Sequence, residues 1–196
     1  MSRGPNKTFE PEMVLGKAME VFWARGYEAA SLAELLQNMG ISRKSMYDTF
    51  GNKQALFLKA LEHYAQTNLR SIKEQLLASG SPLRNIEQLL ISMQKTHGKS
   101  GSKGCMLGTC TADFDTSDVE IAPVLRSYFA RLENIYYEAI SRAKIAGELS
   151  READARDLAR MLLCTTQGMA LVGRVLDNET IPTSVVLTTI KALKKM

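Results

Sequence analysis

The chain has 196 residues, 45% hydrophobic and 23% charged, a globular composition that affords a full core and argues against disorder. Its net charge of +4 permits an anionic partner without demanding one. With no run of about eighteen apolar residues and no apolar leader in "MSRGPNKTFEPE", a cytoplasmic protein with no membrane partner is expected; three cysteines are too few and too odd in number for a secreted disulfide scaffold.

Strand signals are scarce and helical spacing is nearly everywhere, so the expected fold class is all-α, with about nine helices. Pro11 opens the first, whose stripe of Val14, Ala18 and Phe22, flanked by Leu15 and Met19, runs to Gly26. Ser31 caps a short second helix with Glu34 completing a capping box, and Gly40 ends it. Ser42 caps a third helix to Phe50, and Asn52 caps a long fourth running to about residue 78. Further helices are expected at about 83–96, 105–114, 117–147, 153–177 and 183–195, with "HGKSGSKG" as a flexible loop between the fifth and sixth.

Two short helices around a tight turn at Gly40, the second basic and polar, fit a helix-turn-helix that reads the DNA major groove. At about 100° per residue from Met46, Phe50 falls near 40° and Arg43 near 60°, whereas Lys44 and Asp48 fall near 160° and 200°, away from the core. Tyr47 and Ser45 lie on opposite flanks, where a helix in a groove meets the phosphate walls. The free N–H groups at Ser42, and the helix starts at Ser31 and Lys53, offer phosphate clamps, and Arg43 is long enough to reach a base edge. Asp48 suits a cytosine amino group or acts by repulsion. Residues 1 to 60 hold eight Lys/Arg against six Asp/Glu, so placement carries the argument more than bulk charge. The bland alternative is a structural turn with solvated cations.

The run "AMEVFWARGYEAASLAELLQNMGISRKSMYDTFGNKQALF" resembles the DNA-binding domain of the tetracycline-repressor (TetR/AcrR) family of bacterial regulators. Leu36 departs from it, standing where the family has a small Ala, which points to a slightly wider helix crossing. The resemblance implies a three-helix reader over residues 8–68, with its recognition unit at about 31–50, and a larger effector-binding and dimerisation domain over 69–196. It implies a cytosolic homodimer that binds a double-stranded, pseudo-palindromic operator as a repressor and is released by a small-molecule inducer. Tyr47 and Lys53 would hold phosphates beside Ser31 and Ser42, with Arg43, Lys44, Ser45, Asp48 and Thr49 on the base-reading side.

In the remainder, Leu158, Met161, Leu162, Thr165, Met169 and Val172 recur at helical spacing, with Val186, Ile190 and Leu193 as a matching stripe; Gly168 and Gly173 allow close approach. These residues are expected at a dimer surface, the alternative being an intramolecular core. Met93, Met106, Phe114, Tyr128, Phe129, Tyr136 and Tyr137 are candidates to line an effector pocket, or plain core. Cys105 sits at an expected helix N-terminus with Lys103 two residues back, surroundings that favour a thiolate. The run "GCMLG" is similar to one in a TetR subgroup of electrophile- and oxidant-sensing repressors. A buried structural cysteine is the competing reading. Cys110 lies about 140° further round that helix.

Other classes find little support. His63 and His97 are the only histidines, and no G-x-S-x-G, Walker, Rossmann or H-E-x-x-H pattern is present, so neither an enzyme nor a cofactor is expected. Without a Cys-x-x-Cys or a histidine cluster, no metal is expected. A helical adaptor would not need Ser42, Tyr47 and Lys53 where they stand.

Overall fold

The computed structural model describes residues 9–114, 117–176 and 178–195, without the side chain of Ala112. Residue 8, where the reader domain was expected to start, and residues 177 and 196 lie outside the described residues. The fold is all-α. Among the described residues the elements are α1 (Pro11–Ala29), α2 (Leu32–Met39), α3 (Arg43–Phe50), α4 (Lys53–Leu76), α5 (Pro82–His97), α6 (Met106–Asp113), α7 (Ile121–Ile145), α8 (Ala155–Val172) and α9 (Thr180–Lys195). The chain divides into two compact units between Ala65 and Gln66.

The first unit is built around Phe22 and Phe57, whose rings meet edge to face at 4.9 Å, with Leu35, Met39, Met46 and Leu56 fully buried about them. Tyr27 packs on Phe57 at 4.9 Å and Trp23 on Tyr64 at 5.1 Å. Gly26 breaks the helical path of α1 with φ 78°, and one further turn carries the chain to Ala29. Ser31 Oγ accepts from Glu34 N–H at 3.1 Å, but the Glu34 carboxylate pairs with Arg25 at 3.1 Å, so only one half of the expected capping box is used in this way. Gly40 takes the left-handed conformation, φ 69°, and donates to the Leu36 carbonyl at 3.0 Å. Asn52 Oδ1 accepts from Ala55 N–H at 2.8 Å and starts α4.

In the second unit α7 packs along α8, and α5 touches α7, α8 and α9. Tyr128, Leu132, Tyr136, Ala139 and Ile140 form the buried side of α7. That helix starts four residues later than the spacing predicts. Asp118 Oδ1 takes the N–H groups of Glu120 and Ile121, at 3.0 and 2.7 Å, and holds the preceding residues in a turn. Asp154 likewise caps α8 by accepting from Arg156 and Asp157, setting its start at Ala155.

The loop expected to be flexible is pinned. His97 is buried in the last turn of α5 and its Nδ1 lies 3.3 Å from Ser102 Oγ. Gly104 packs so tightly on α8 that a Cβ would stand 2.5 Å from the Ala170 carbonyl oxygen. A Cβ on Gly173 would stand 2.3 Å from the His97 carbonyl oxygen. Gly173 thus permits a close approach within the chain, between the end of α8 and the end of α5.

Candidate DNA-reading face and effector cleft

Helix α3 buries Met46 and Phe50 and leaves Ser42, Arg43, Lys44, Tyr47 and Asp48 exposed, with Ser45 and Thr49 half-buried. Ser42 Oγ accepts from Ser45 N–H at 3.1 Å and shares a 2.9 Å hydrogen bond with Ser45 Oγ. The Arg43 guanidinium lies 5.7 Å from the Tyr47 ring centroid, so that pair extends from α3 together. At the start of α4, Lys53 Nζ stands 4.6 Å over the Tyr27 ring and donates to the Glu28 carbonyl at 3.4 Å. Tyr27, under that cation, was not among the expected site residues. Burial, and then the charge of Glu28, raise its hydroxyl above the ordinary tyrosine range. Ser31 is exposed at the head of α2.

The candidate effector residues differ in burial and in partners. Cys105, only 5% exposed, is the N-cap of α6; its Sγ accepts from Gly108 N–H at 3.4 Å and lies 3.5 Å from the Tyr128 hydroxyl. Tyr128 donates its proton to Asn68 Oδ1 at 2.9 Å, which leaves its oxygen to accept from the Cys105 thiol. The result is a directed chain from α6 through α7 to α4. Tyr136 instead donates to Thr166 Oγ1 at 3.1 Å deep in the core, where burial raises its pKa. Met106 is also core, Met93 and Phe114 are half-buried, and Tyr137 is on the surface beneath Arg156, whose guanidinium lies 3.9 Å from its ring centroid. Cys110 is buried with its pKa pushed up to about 12, first by burial and then by Asp113 and Cys105.

Cys105 and Phe129 line a cleft of about 180 Å³ between α6, α7 and α8, joined by Gly108, Thr109, Thr111, Gln167, Gly168 and Leu171. Gln167 and Asn68 escaped the sequence reading because neither lies in a local pattern; the second glycine of "GCMLG" was the available signal.

The stripes expected at a dimer surface divide. Leu158, Leu162, Met169, Val186 and Leu193 are buried within the chain's own core, since α8 packs against α5 and α7 and α9 against α5. Val172 and Gly168 are exposed, and Met161, Thr165 and Ile190 are half-buried. Exposed apolar side chains concentrate nearby at Leu171, Val175, Ile181 and Leu187. An apolar groove of about 240 Å³ runs between α8 and α9, lined by Cys164, Gly168, Val172, Ile181 and Val185 among others. Among the described residues no group of three or more His, Cys, Asp or Glu is placed to hold a metal, and no helix is long and apolar enough to cross a membrane.

Two family models match: "Bacterial regulatory proteins, tetR family" over residues 14–60 and "Tetracyclin repressor-like, C-terminal domain" over residues 82–188. The chain belongs to the TetR family. An HTH-type transcriptional regulator of Bacillus subtilis (strain 168), YezE, is 33% identical over 88% of this chain and 90% of its own length. The HTH-type transcriptional repressor ComR of Escherichia coli (strain K12) is 31% identical over 88% and 83%. Among solved structures, a cysteine mutant of the TetR-family regulator CifR in complex with 26 bp operator DNA is 26% identical, with TM-score 0.84 over 97% of this chain and 100% of its own. Reduced Escherichia coli NemR, 17% identical with TM-score 0.82 over 93% and 95%, shares the fold. The protein is thus a TetR-family transcriptional regulator of the DNA-binding type, not an enzyme.

Proposed function

We propose that this TetR-family protein is a homodimeric repressor that binds a pseudo-palindromic operator and leaves it when a small apolar or electrophilic effector reaches the cleft at Cys105. The observation that carries the DNA-reading part is the two-sidedness of α3: Met46 and Phe50 are inside, and Arg43, Lys44, Tyr47 and Asp48 outside. In this reading residues 8–68 form the reader and 69–196 the effector and dimerisation domain. Ser31, Ser42, Tyr47 and Lys53 position the phosphates, while Arg43, Lys44, Ser45, Asp48 and Thr49 face the bases. Lys53 gives one ammonium proton to Glu28 and keeps two for a phosphate.

The dimer face is assigned to the outer side of α8 and α9, where Leu171, Val172, Val175, Ile181 and Leu187 are exposed beside the apolar groove. Two recognition helices related by the dimer axis would read half-sites about 34 to 36 Å apart. Bound genomic fragments, selected and then titrated by fluorescence anisotropy, test the whole. A specific site should bind at least about a thousandfold more tightly than random DNA, with two chains per site. Equal affinity for all fragments sinks the operator reading, and a monomer at micromolar concentration in sedimentation sinks the dimer.

The hydrogen-bond chain Cys105–Tyr128–Asn68 supports Cys105 as the sensing residue, because alkylating the sulfur would break a contact that ends on α4. With an α,β-unsaturated carbonyl, sulfur bonds to the β-carbon and a proton is delivered to the α-carbon as the C=C bond is lost. N-ethylmaleimide should release wild-type protein from its operator and leave Cys105→Ser bound. Full sensitivity in Cys105→Ser refutes the sensing role.

A further inference from the structure

The outer side of α8 separates two hollows. At about 100° per residue, Cys164, Leu171, Val172 and Val175 all fall within about 60° of Gly168, and together they form one exposed ridge. The apolar groove against α9 lies on one flank of this ridge and the Cys105 cleft on the other, with Gly168 lining both. Deeper in, the cleft is shut: Gln167 Oε1 has no access to solvent and no hydrogen-bond partner, and a Cβ on Gly108 would lie 2.7 Å from it. The exposed lining residues are Thr111, Gly168 and Leu171, two of them on the ridge. The mouth of the cleft is therefore beside the ridge.

The ridge is suited to its own copy. A two-fold contact brings each position near its counterpart, so any charge there would meet its like. Residues 161–173 carry no charged side chain. Arg160, just before this stretch, is already paired with Glu133 at 3.3 Å and Asp157 at 3.2 Å, and Arg174, just after it, lays its stem over Gly104. An acidic or strongly basic partner would find no counter-charge on the ridge. A packed helix also reaches far enough: 60° around α8 is an arc of about 6 Å, which half the diameter of a second helix covers. A helix centred on Gly168 thus covers Leu171, and with it the mouth of the cleft.

We propose that a second copy of this chain roofs the Cys105 cleft. The α8 ridge packs on its counterpart about a two-fold axis, and the site is open in the single chain and closed in the pair. This rests on the dimer reading given above and adds that the effector site is incomplete without the partner. The floor and side walls come from α6, α7 and α8 of one chain, and the remaining side from the other. Occupancy of the cleft and pairing of the chains are thereby linked, each changing the affinity of the other by the same factor.

Iodoacetamide, whose iodide is displaced by sulfur, is the probe, applied to the full chain without DNA at concentrations on both sides of the pairing constant found by sedimentation. Mass spectrometry follows the peptides carrying Cys105, Cys110 and Cys164. Cys105 and Cys164 should each react at least about fivefold more slowly in the pair than in the single chain. Cys110, buried and lining neither hollow, should keep one slow rate throughout, which rules out loosening of the fold. Val172→Glu combined with Val175→Glu, neither of which lines the cleft, should give single chains at all these concentrations with Cys105 at the fast rate. If Cys110 becomes fast in that variant, the fold has loosened and the dilution series of the wild-type chain decides. Slowing of Cys164 on pairing with Cys105 unaffected overturns this inference and leaves the dimer face standing. Pairing that slows neither cysteine overturns the inference together with that face. Single chains at every concentration overturn the dimer reading, and the roof with it.

Discussion

Lys53 lies on Tyr27: its ammonium is 4.6 Å from the ring centroid and 3.4 Å from the Glu28 carbonyl, so the end of α1 fixes the head of α4. The ring and the carbonyl hold the lysine stem in place and reduce the side-chain entropy lost on meeting a phosphate. Lys53→Ala should weaken binding to specific and random DNA alike and reduce the slope of log K against log salt by about one. Tyr27→Phe keeps the ring face and should change affinity little, whereas Tyr27→Leu should reproduce part of the Lys53→Ala loss. Anisotropy titrations at three salt concentrations check all three.

On α3 the expected effect is different in kind. Arg43→Ala and Lys44→Ala remove groups from the exposed side of the helix without touching Met46 or Phe50. Each should relax preference at particular base pairs, by about 1 to 3 kcal/mol, with melting temperature unchanged. Binding to a library of single-base operator variants measures this directly. A uniform loss across the library would move these residues to the phosphate class.

Tyr128 is 2% exposed and joins Cys105 to Asn68. Tyr128→Phe removes the hydroxyl and leaves Asn68 Oδ1 without this donor, at a cost of about 1 to 3 kcal/mol in urea unfolding. If the chain carries the signal, the variant should still be alkylated at Cys105 yet respond less in operator release. Mass spectrometry of the modified peptide, set against the release curve, distinguishes lost reactivity from lost transmission.

Two buried groups limit stability from opposite sides of the pH scale. Burial lowers His97 below its ordinary 6.5, so the unfolded chain takes up that proton first and stability falls as pH drops below about 6.5. Cys110 is raised from 9.0 to about 12, so the unfolded chain releases its proton first and stability falls as pH climbs from 9.0 toward 12. Tyr136, also raised by burial, adds to the alkaline decline. Urea midpoints should form a plateau between these limits. His97→Gln should flatten the acid side and Cys110→Ala the alkaline side.

The backbone contact at Gly173 has little room to relax. Gly173→Ala places a methyl 2.3 Å from the His97 carbonyl oxygen, against backbone on both sides, and should destabilise by about 1 to 3 kcal/mol. Gly168→Ala, with nothing within 4 Å, is the control and should leave the melting temperature unchanged or slightly raised. Thermal unfolding by circular dichroism compares them.

Helix starts marked by Ser31, Ser42 and Asn52 were readable because a cap is a local event, decided by a side chain and an N–H three residues on. The inward and outward sides of α3 were readable for the same reason: a short helix against one core needs only its own period. Asp118 delayed α7 because its carboxylate competes for the first N–H groups, which an apolar pattern does not register. The apolar stripes of α8 and α9 misled because each helix presents apolar residues both to its own core and to the outer face. Periodicity counts such residues without saying which neighbour they meet. Gln167 was invisible because an orphaned acceptor exists only once Thr109, Thr111 and Gly108 have committed their protons elsewhere.

The contacts at Gly104 and Gly173 fasten the C-terminal end of α8 at Ala170 and Gly173, one helical turn apart, to the loop before α6 and to the end of α5. Backbone meets backbone at both, so sliding α8 along its own axis would drive main-chain atoms together. Residues 170–173 are thus the anchored end of α8, held at two main-chain contacts rather than by side chains that could repack.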